Sequence, residues 1–235
     1  MAVSARPQDI AVNLNEVRGR IARACALAGR SVDDVRLVAV CKGQSADAVR
    51  AGYAAGQREF AENYVQELKA KRPALVDLPD VRVRLIGRLQ RNKARVAAEL
   101  ASAVDSVDSA ELAAELAKRA GALGRTLEVL LQVNVDREPQ KAGVLPDALP
   151  ALIDAVRALP ALSLQGLMAI PRAADDVELM RPAFAALREL GRSHGLRELS
   201  MGMSADLEVA VAEGATIVRV GTAIFGARTA PAGRQ

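Results

Sequence analysis

The sequence predicts an α/β fold, a single parallel (β/α)8 TIM barrel with an extra helix at its N-terminus. Three observations carry that expectation. Eight short apolar runs alternate with amphipathic segments, the pattern of strands joined by crossover helices in a parallel sheet. The chain has 235 residues, a size at which α/β barrels commonly form undivided, so residues 1–235 are expected to make one domain. The turn after the first run reads CKGQS, which lacks the glycine spacing that a doubly wound dinucleotide fold would place there.

The elements follow in order. A helix is expected over Gln8–Leu27, because Leu14, Val17, Ile21, Ala24 and Ala28 fall on one stripe. Strands are expected at Arg36–Cys41, Glu59–Ala61, Val83–Ile86, Ala103–Ser106, Leu127–Val133, Ser163–Met168, Glu198–Met201 and Ile217–Val220. Helices fall between them at Ala46–Ala55, Tyr64–Ala74, Lys93–Leu100, Ala110–Leu123, Asp147–Leu159, Val177–His194 and Ala205–Glu213. Ser45 and Ser109 suit N-caps, since a short side-chain oxygen can accept from the first unpaired backbone amides of a helix. The tail Thr229–Gln235 is expected to fray.

Composition narrows the function. Hydrophobic residues make up 51% of the chain, yet no apolar run approaches the about 20 residues needed to cross a bilayer. The N-terminal MAVSARPQDI lacks the apolar core of a secretory signal, so a cytoplasmic protein without membrane association is expected. Cys25 and Cys41 give neither metal-ligand spacing nor a disulfide framework; reduced thiols and no metal site follow. The balance of 32 basic and 28 acidic residues gives a net charge of +4, weak evidence for a polyanionic partner. With three Phe, two Tyr and no Trp, there is little to stack on bases, and nucleic-acid binding is not expected. One basic cluster, Arg82, Arg84, Arg88, Arg91, Lys93 and Arg95, reads first as a solvated loop and helix face and second as a positive rim for a phosphate-bearing ligand or an acidic protein. Of the 32 cations, 26 are arginine, so the six lysines stand out: lysine is the one whose amine can lose its proton and attack a carbonyl.

The most informative stretch is Leu199–Gly226. Two short strands there each end in a small-residue turn, Gly202-Met203-Ser204 and Gly221-Thr222, where a hydroxyl and backbone N–H groups converge at the start of a helix and favour an anion. Arg219 lies inside the second strand and is expected to point at a ligand or a carboxylate, because a buried guanidinium needs a partner; from pattern alone, a salt-bridged arginine between two ordinary β–α turns stands equally open. In a barrel the C-terminal strand ends face the active mouth. That rule gathers Lys42, Asn63, Gly87, Arg88, Asn134, Met168, Ser204, Gly221 and Thr222 on one rim. Taken alone, Lys42 reads first as a snorkelling surface lysine at a strand end; partly desolvated and near other cations, its amine is expected to have a lowered pKa and to form an imine. An amine opposite a phosphate site suits pyridoxal 5′-phosphate (PLP) or a sugar-phosphate aldehyde. Lys141 reads first as a solvated loop lysine and second as another rim amine. His194, the single histidine, is expected at an exposed helix end, and Cys41 is expected to point away from Lys42 into the core. Glu62 and Glu67 flank Asn63, and one is expected to cap or to pair with a rim arginine.

The segments VAVCK, AENYVQEL, LIGRLQRNK, VDS, LLQVNV, KAGV, GLMAI and SMGMSADLEVAVAEGATIVRVGTAIFGAR resemble, in order and over nearly the whole chain, those of the pyridoxal phosphate homeostasis protein family. The resemblance implies a fold-type III PLP barrel similar to the N-terminal domain of alanine racemase, with PLP as cofactor bound as an internal aldimine. Carried over by position, Lys42 is the aldimine lysine, Ser204, Gly221 and Thr222 hold the phosphate, Arg219 faces the pyridine nitrogen, and Asn63 and Met168 line the pocket. The chain departs from the family pattern at Cys41, where Ser is common, at Gly43-Gln44, where Thr-Lys is frequent, and around the third-strand Gly87, which histidines often flank and where Arg84 and Arg88 stand here.

The expected function is a PLP holder acting in vitamin B6 and amino-acid homeostasis without robust catalysis, a monomer whose partners are PLP and apo-enzymes that accept it. The alternatives are an amino-acid racemase of the same fold type, for which no second domain supplies an opposing tyrosine base, and a cofactor-free Schiff-base aldolase, for which no acid–base carboxylate is apparent.

Overall fold

The computed structural model describes residues 6–172 and 174–226; the tail expected to fray at 229–235 lies outside them. A first helix, α1 (Pro7–Leu27), leads into eight strand and helix units. These are β1 (Arg36–Val40) with α2 (Ala46–Ala54), β2 (Glu59–Glu62) with α3 (Val65–Lys71), β3 (Arg82–Leu85) with α4 (Ala94–Leu100), and β4 (Ala103–Val107) with α5 (Ala110–Ala122). Then follow β5 (Leu127–Gln132) with α6 (Leu149–Arg157), β6 (Leu162–Met168) with α7 (Arg181–Ser193), β7 (Glu198–Ser200) with α8 (Leu207–Ala212), and β8 (Ile217–Val220) with α9 (Thr222–Phe225). The strands pair in chain order, all parallel, and β8 returns to β1 in the register Arg36↔Ile217 to Ala39↔Val220, which closes the barrel.

Strand alternation sorts the apolar residues into two cores. Val38, Val40, Ala61, Ile86, Leu130, Met168 and Ile217 form a buried cluster of their own inside the barrel. Leu37, Ala39, Phe60, Val83, Leu85 and Val104, on the alternate faces, join the larger cluster beneath the helices. Each such side chain taken fully out of water contributes about 1.5–3 kcal/mol.

The outer ring explains why the N-terminal helix is there. Among the described residues, β8 is followed only by the four-residue α9, too short to cover its strand. Helix α1 packs against α8, α9 and α2, and so covers the seam between β8 and β1. Asn13 donates to the Ile224 carbonyl at 2.8 Å, and Arg20 pairs with Glu208 at 2.7 Å. The helix read as an addition to the barrel is thus part of its wall.

Both serine caps form: Ser45 Oγ accepts from Ala48 N at 3.2 Å, and Ser109 Oγ from Leu112 N at 3.4 Å. We expect Ser45→Ala to lower unfolding free energy by about 1 kcal/mol, read from urea denaturation. No change in midpoint would show that α2 needs no cap.

The expected basic cluster divides. Arg82 and Arg84 lie on β3, where Arg82 pairs with Glu59 and Glu128, both at 2.6 Å. Arg84, 1% exposed, turns into the barrel and meets Asp105 on β4 at 2.7 Å. Arg88, Arg91 and Arg95 are exposed beyond the strand. The cluster is therefore neither one solvated face nor one rim, because strand and helix project its members in different directions.

Candidate functional site

At the C-terminal end of the barrel lies a cavity of about 300 Å³. Lys42, following β1, and Asn63, following β2, stand in its wall with Ser204, Arg219, Gly221 and Thr222. Val40 and Ile86, both buried, also line it, with Ile170 and Met203. Six of the seven residues singled out as a binding set therefore meet in one place. Met168 is not among the residues that line the cavity: it is fully buried in the barrel-interior cluster, whose members Val40 and Ile86 reach the cavity instead. The apolar lining and Gln44 were not singled out from the sequence, although Val40, Ile86 and Gln44 lie at or just past the ends of β1 and β3, where the strand-end rule could have found them.

The two turns are built differently from the expectation in one respect. Helix α8 begins at Leu207 rather than Ala205, and Asp206 occupies its N-cap with a carboxylate that accepts from Met203 N. The turn holding Ser204 is thus tied by a buried acid, 2% exposed, that sequence reasoning missed. Gly202 has φ +89°, and a Cβ there would stand 2.5 Å from that of Ala210, so the turn requires glycine. Gly221 is the N-cap of α9 and accepts from Ile224 N and Phe225 N, which places Thr222 at the helix start.

Arg219 is 3% exposed and is held by two neutral acceptors: Nη1 donates to Ser200 Oγ at 2.7 Å and Nη2 to the Ala169 carbonyl at 2.9 Å. Burial lowers its pKa to about 10, partly offset by Asp105 and Asp206, so it remains a cation at neutral pH. A guanidinium has donors only, and the group it meets in the cavity must be an acceptor. Asn63 Oδ1, by contrast, is a buried acceptor without a hydrogen-bond partner, suited to a ligand hydroxyl. A lone acceptor, a donor-only cation and hydroxyl-bearing turns around a lysine form a donor set that fits a phosphorylated, hydroxylated aromatic aldehyde.

Asn134 organises its own loop, with Nδ2 donating to the Glu138 carbonyl at 2.8 Å, and does not line the cavity. Lys141 is ion-paired with Asp136 at 3.2 Å and Glu138 at 3.3 Å, beside the Ile170 carbonyl at the cavity edge. His194 is the half-buried C-cap of α7. Cys41 points away from the cavity as expected; burial pushes its thiol well above the ordinary range, which keeps it protonated and unreactive. Glu62 and Glu67 pair with Lys71 and, among the described residues, with no rim arginine.

A family model, alanine racemase N-terminal domain, matches residues 12–229. A pyridoxal phosphate homeostasis protein of Pseudomonas aeruginosa is 49% identical over 93% of this chain and 96% of its own length. That of Escherichia coli K12 is 41% identical over 94% and 97%. The chain belongs to the pyridoxal phosphate homeostasis protein family. Within this family, the solved structure of PipY of Synechococcus elongatus with PLP bound superposes with a TM-score of 0.77 at 43% identity, covering 88% of this chain and all of that one. Alanine racemase of Clostridium difficile shares the fold alone, with a TM-score of 0.74 at 15% identity over 95% of this chain and 58% of that one. The barrel is therefore of fold type III. Among the described residues, no helix is long and apolar enough to cross a membrane, and no cluster of His, Cys, Asp or Glu could hold a metal ion.

Proposed function

We propose that this chain binds PLP on Lys42 and, in the cytoplasm, keeps it available to enzymes that need it, as a holder in vitamin B6 and amino-acid homeostasis and without robust turnover of its own. The observation that carries the reading is the meeting of Lys42, the turns at Ser204 and Gly221-Thr222, and the cation Arg219 around one cavity. When bound, PLP supplies an aldehyde that condenses reversibly with a primary amine, releasing water. Lys42 offers that amine at a strand end. Ser204, Gly221 and Thr222 take the phosphate with hydroxyl and backbone donors. Asn63 receives a ring hydroxyl. Arg219 presents only donors, so a ring nitrogen beside it stays unprotonated and withdraws electrons weakly, which disfavours carbanion chemistry.

The lining favours a holder over a racemase. A racemase moves a proton on each face of its substrate and needs a second base. Among the described residues lining the cavity, Lys42 is the one group suited to that work, and Gln44, Asn63, Ser204 and Thr222 are neutral.

Hydride reduction of PLP-loaded protein followed by peptide mapping tests the reading. A pyridoxyl group on Lys42 is expected; a label on Lys141 alone, or none, overturns it. Ser204→Ala should weaken pyridoxine 5′-phosphate, which cannot form an imine, by about ten-fold in calorimetry, the loss of one hydrogen bond to a charged group. Unchanged affinity would remove Ser204 from the phosphate site.

A further inference from the structure

Behind Lys42, on the side of β1 away from the cavity, a buried charge cluster touches the chain on both sides of this residue. Lys71, at the end of α3, donates from Nζ to the Cys41 carbonyl at 2.8 Å, to Glu62 Oε1 at 2.6 Å and to Glu67 Oε2 at 3.1 Å. The same Glu67 oxygen accepts from the Gly43 backbone amide at 2.6 Å. Cys41 Sγ donates to Glu62 Oε1 at 3.1 Å. The Lys71 side chain is 11% exposed and that of Glu62 1%.

An ammonium has three protons, and three acceptors receive them here. Burial works against the charge of Lys71, but the Glu62 and Glu67 carboxylates outweigh it and raise its pKa. Lys71 is thereby committed as a fixed cation, unlike an amine that must lose a proton to react. The turn it grips is a tight one: Gln44 N returns to the Cys41 carbonyl at 3.0 Å, and Gly43 has φ +71°, open to few other residues.

We propose that the Lys71–Glu67 pair positions Lys42, by clamping the carbonyl that precedes it and the amide that follows it, with Glu62 as the buried anchor of the clamp. The proposal rests on the reading that Lys42 holds the cofactor, and deepens it. Neither clamp residue touches the cavity. Their effect reaches the cofactor through the backbone, because a reactive side chain is placed only as well as the peptide that carries it.

Three measurements on the full chain test this, using Glu67→Gln and Lys71→Met. The first is hydrogen exchange at the Gly43 amide in protein stripped of PLP. The second is the rate at which hydroxylamine discharges PLP from the loaded protein, with the pH midpoint of its visible absorption. The third is affinity for pyridoxine 5′-phosphate. Each variant should speed Gly43 exchange about ten-fold, change the discharge rate by a similar factor with a moved pH midpoint, and leave the analogue's affinity within about two-fold. Wild-type exchange, discharge and midpoint in both variants overturns the clamp, and so does a loss of analogue affinity as large as the change in discharge, which marks general disorder of the site. If Lys71→Met fails to fold, Glu67→Gln decides, since that side chain is 30% exposed. Failure of hydride to label Lys42 in the unaltered protein overturns the reading of Lys42 instead, and Gly43 exchange still judges the clamp.

Discussion

Lys42→Ala is expected to abolish covalent retention of PLP while sparing recognition of the phosphate. The amine at the end of β1 is one wall of the cavity, whereas the anion-binding turns follow β7 and β8, so alanine removes the first without disturbing the second. An amine held against its aldehyde acts at a high effective concentration, and its loss should weaken PLP by about a hundred-fold or more. Affinity for pyridoxine 5′-phosphate should stay within about three-fold, because that ligand never used the amine. Purified Lys42→Ala should be colourless, and hydride should fix no label at this position. Two results would count against the assignment: a visible band of wild-type intensity in the variant, or equal losses for both ligands.

The second large effect concerns stability. Asp105→Ala leaves the Arg84 guanidinium, 1% exposed, facing the barrel interior with Glu59 at 3.8 Å and Glu128 at 3.9 Å as its remaining carboxylates. It also removes an anion that supports the charge of Arg219. Breaking a buried pair by deleting one partner costs about 3–5 kcal/mol, since the other charge stays desolvated. Urea unfolding should show a loss of that size. The double replacement Arg84→Met with Asp105→Leu should lose less than Asp105→Ala, because no charge is then stranded. A loss below about 1 kcal/mol in the single variant would mean that water or Glu59 already satisfies Arg84.

How much could be read in advance differs by kind of feature. The strands fall within a residue of their expected bounds at each end, and Ile217–Val220 falls on them, because apolar runs between polar turns report burial locally. The caps at Ser45 and Ser109 are equally local, each set by a side chain and an amide three residues on. Helix α8 begins late because the Asp206 carboxylate turns back to accept from Met203 N and holds the residues before it in a turn, a contact that the apolar pattern does not record. Five of the six residues that gather around the cavity were legible from one rule, that strand C-terminal ends meet at the mouth of a barrel, and Arg219 was legible as a cation inside an apolar strand. Met168 follows the same rule by position, yet it is fully buried in the interior cluster, and Val40 and Ile86 of that cluster line the cavity in its place.

By itself, then, the sequence determined the barrel, the order of its strands and the rim on which Lys42, Ser204, Gly221 and Thr222 stand. Those follow from periodicity and from residue type at strand ends. Only the tertiary structure decided which charges pair: Arg84 with Asp105, Arg219 with Ser200 and the Ala169 carbonyl, and Glu62 and Glu67 with Lys71 and so with the peptide around Lys42. It also decided that α1 closes the outer wall. The physical reason is range. A periodic pattern is written along a few consecutive residues, but a buried charge takes its partner by distance, and several of these partners lie about twenty or more residues away along the chain and a few ångströms away in space.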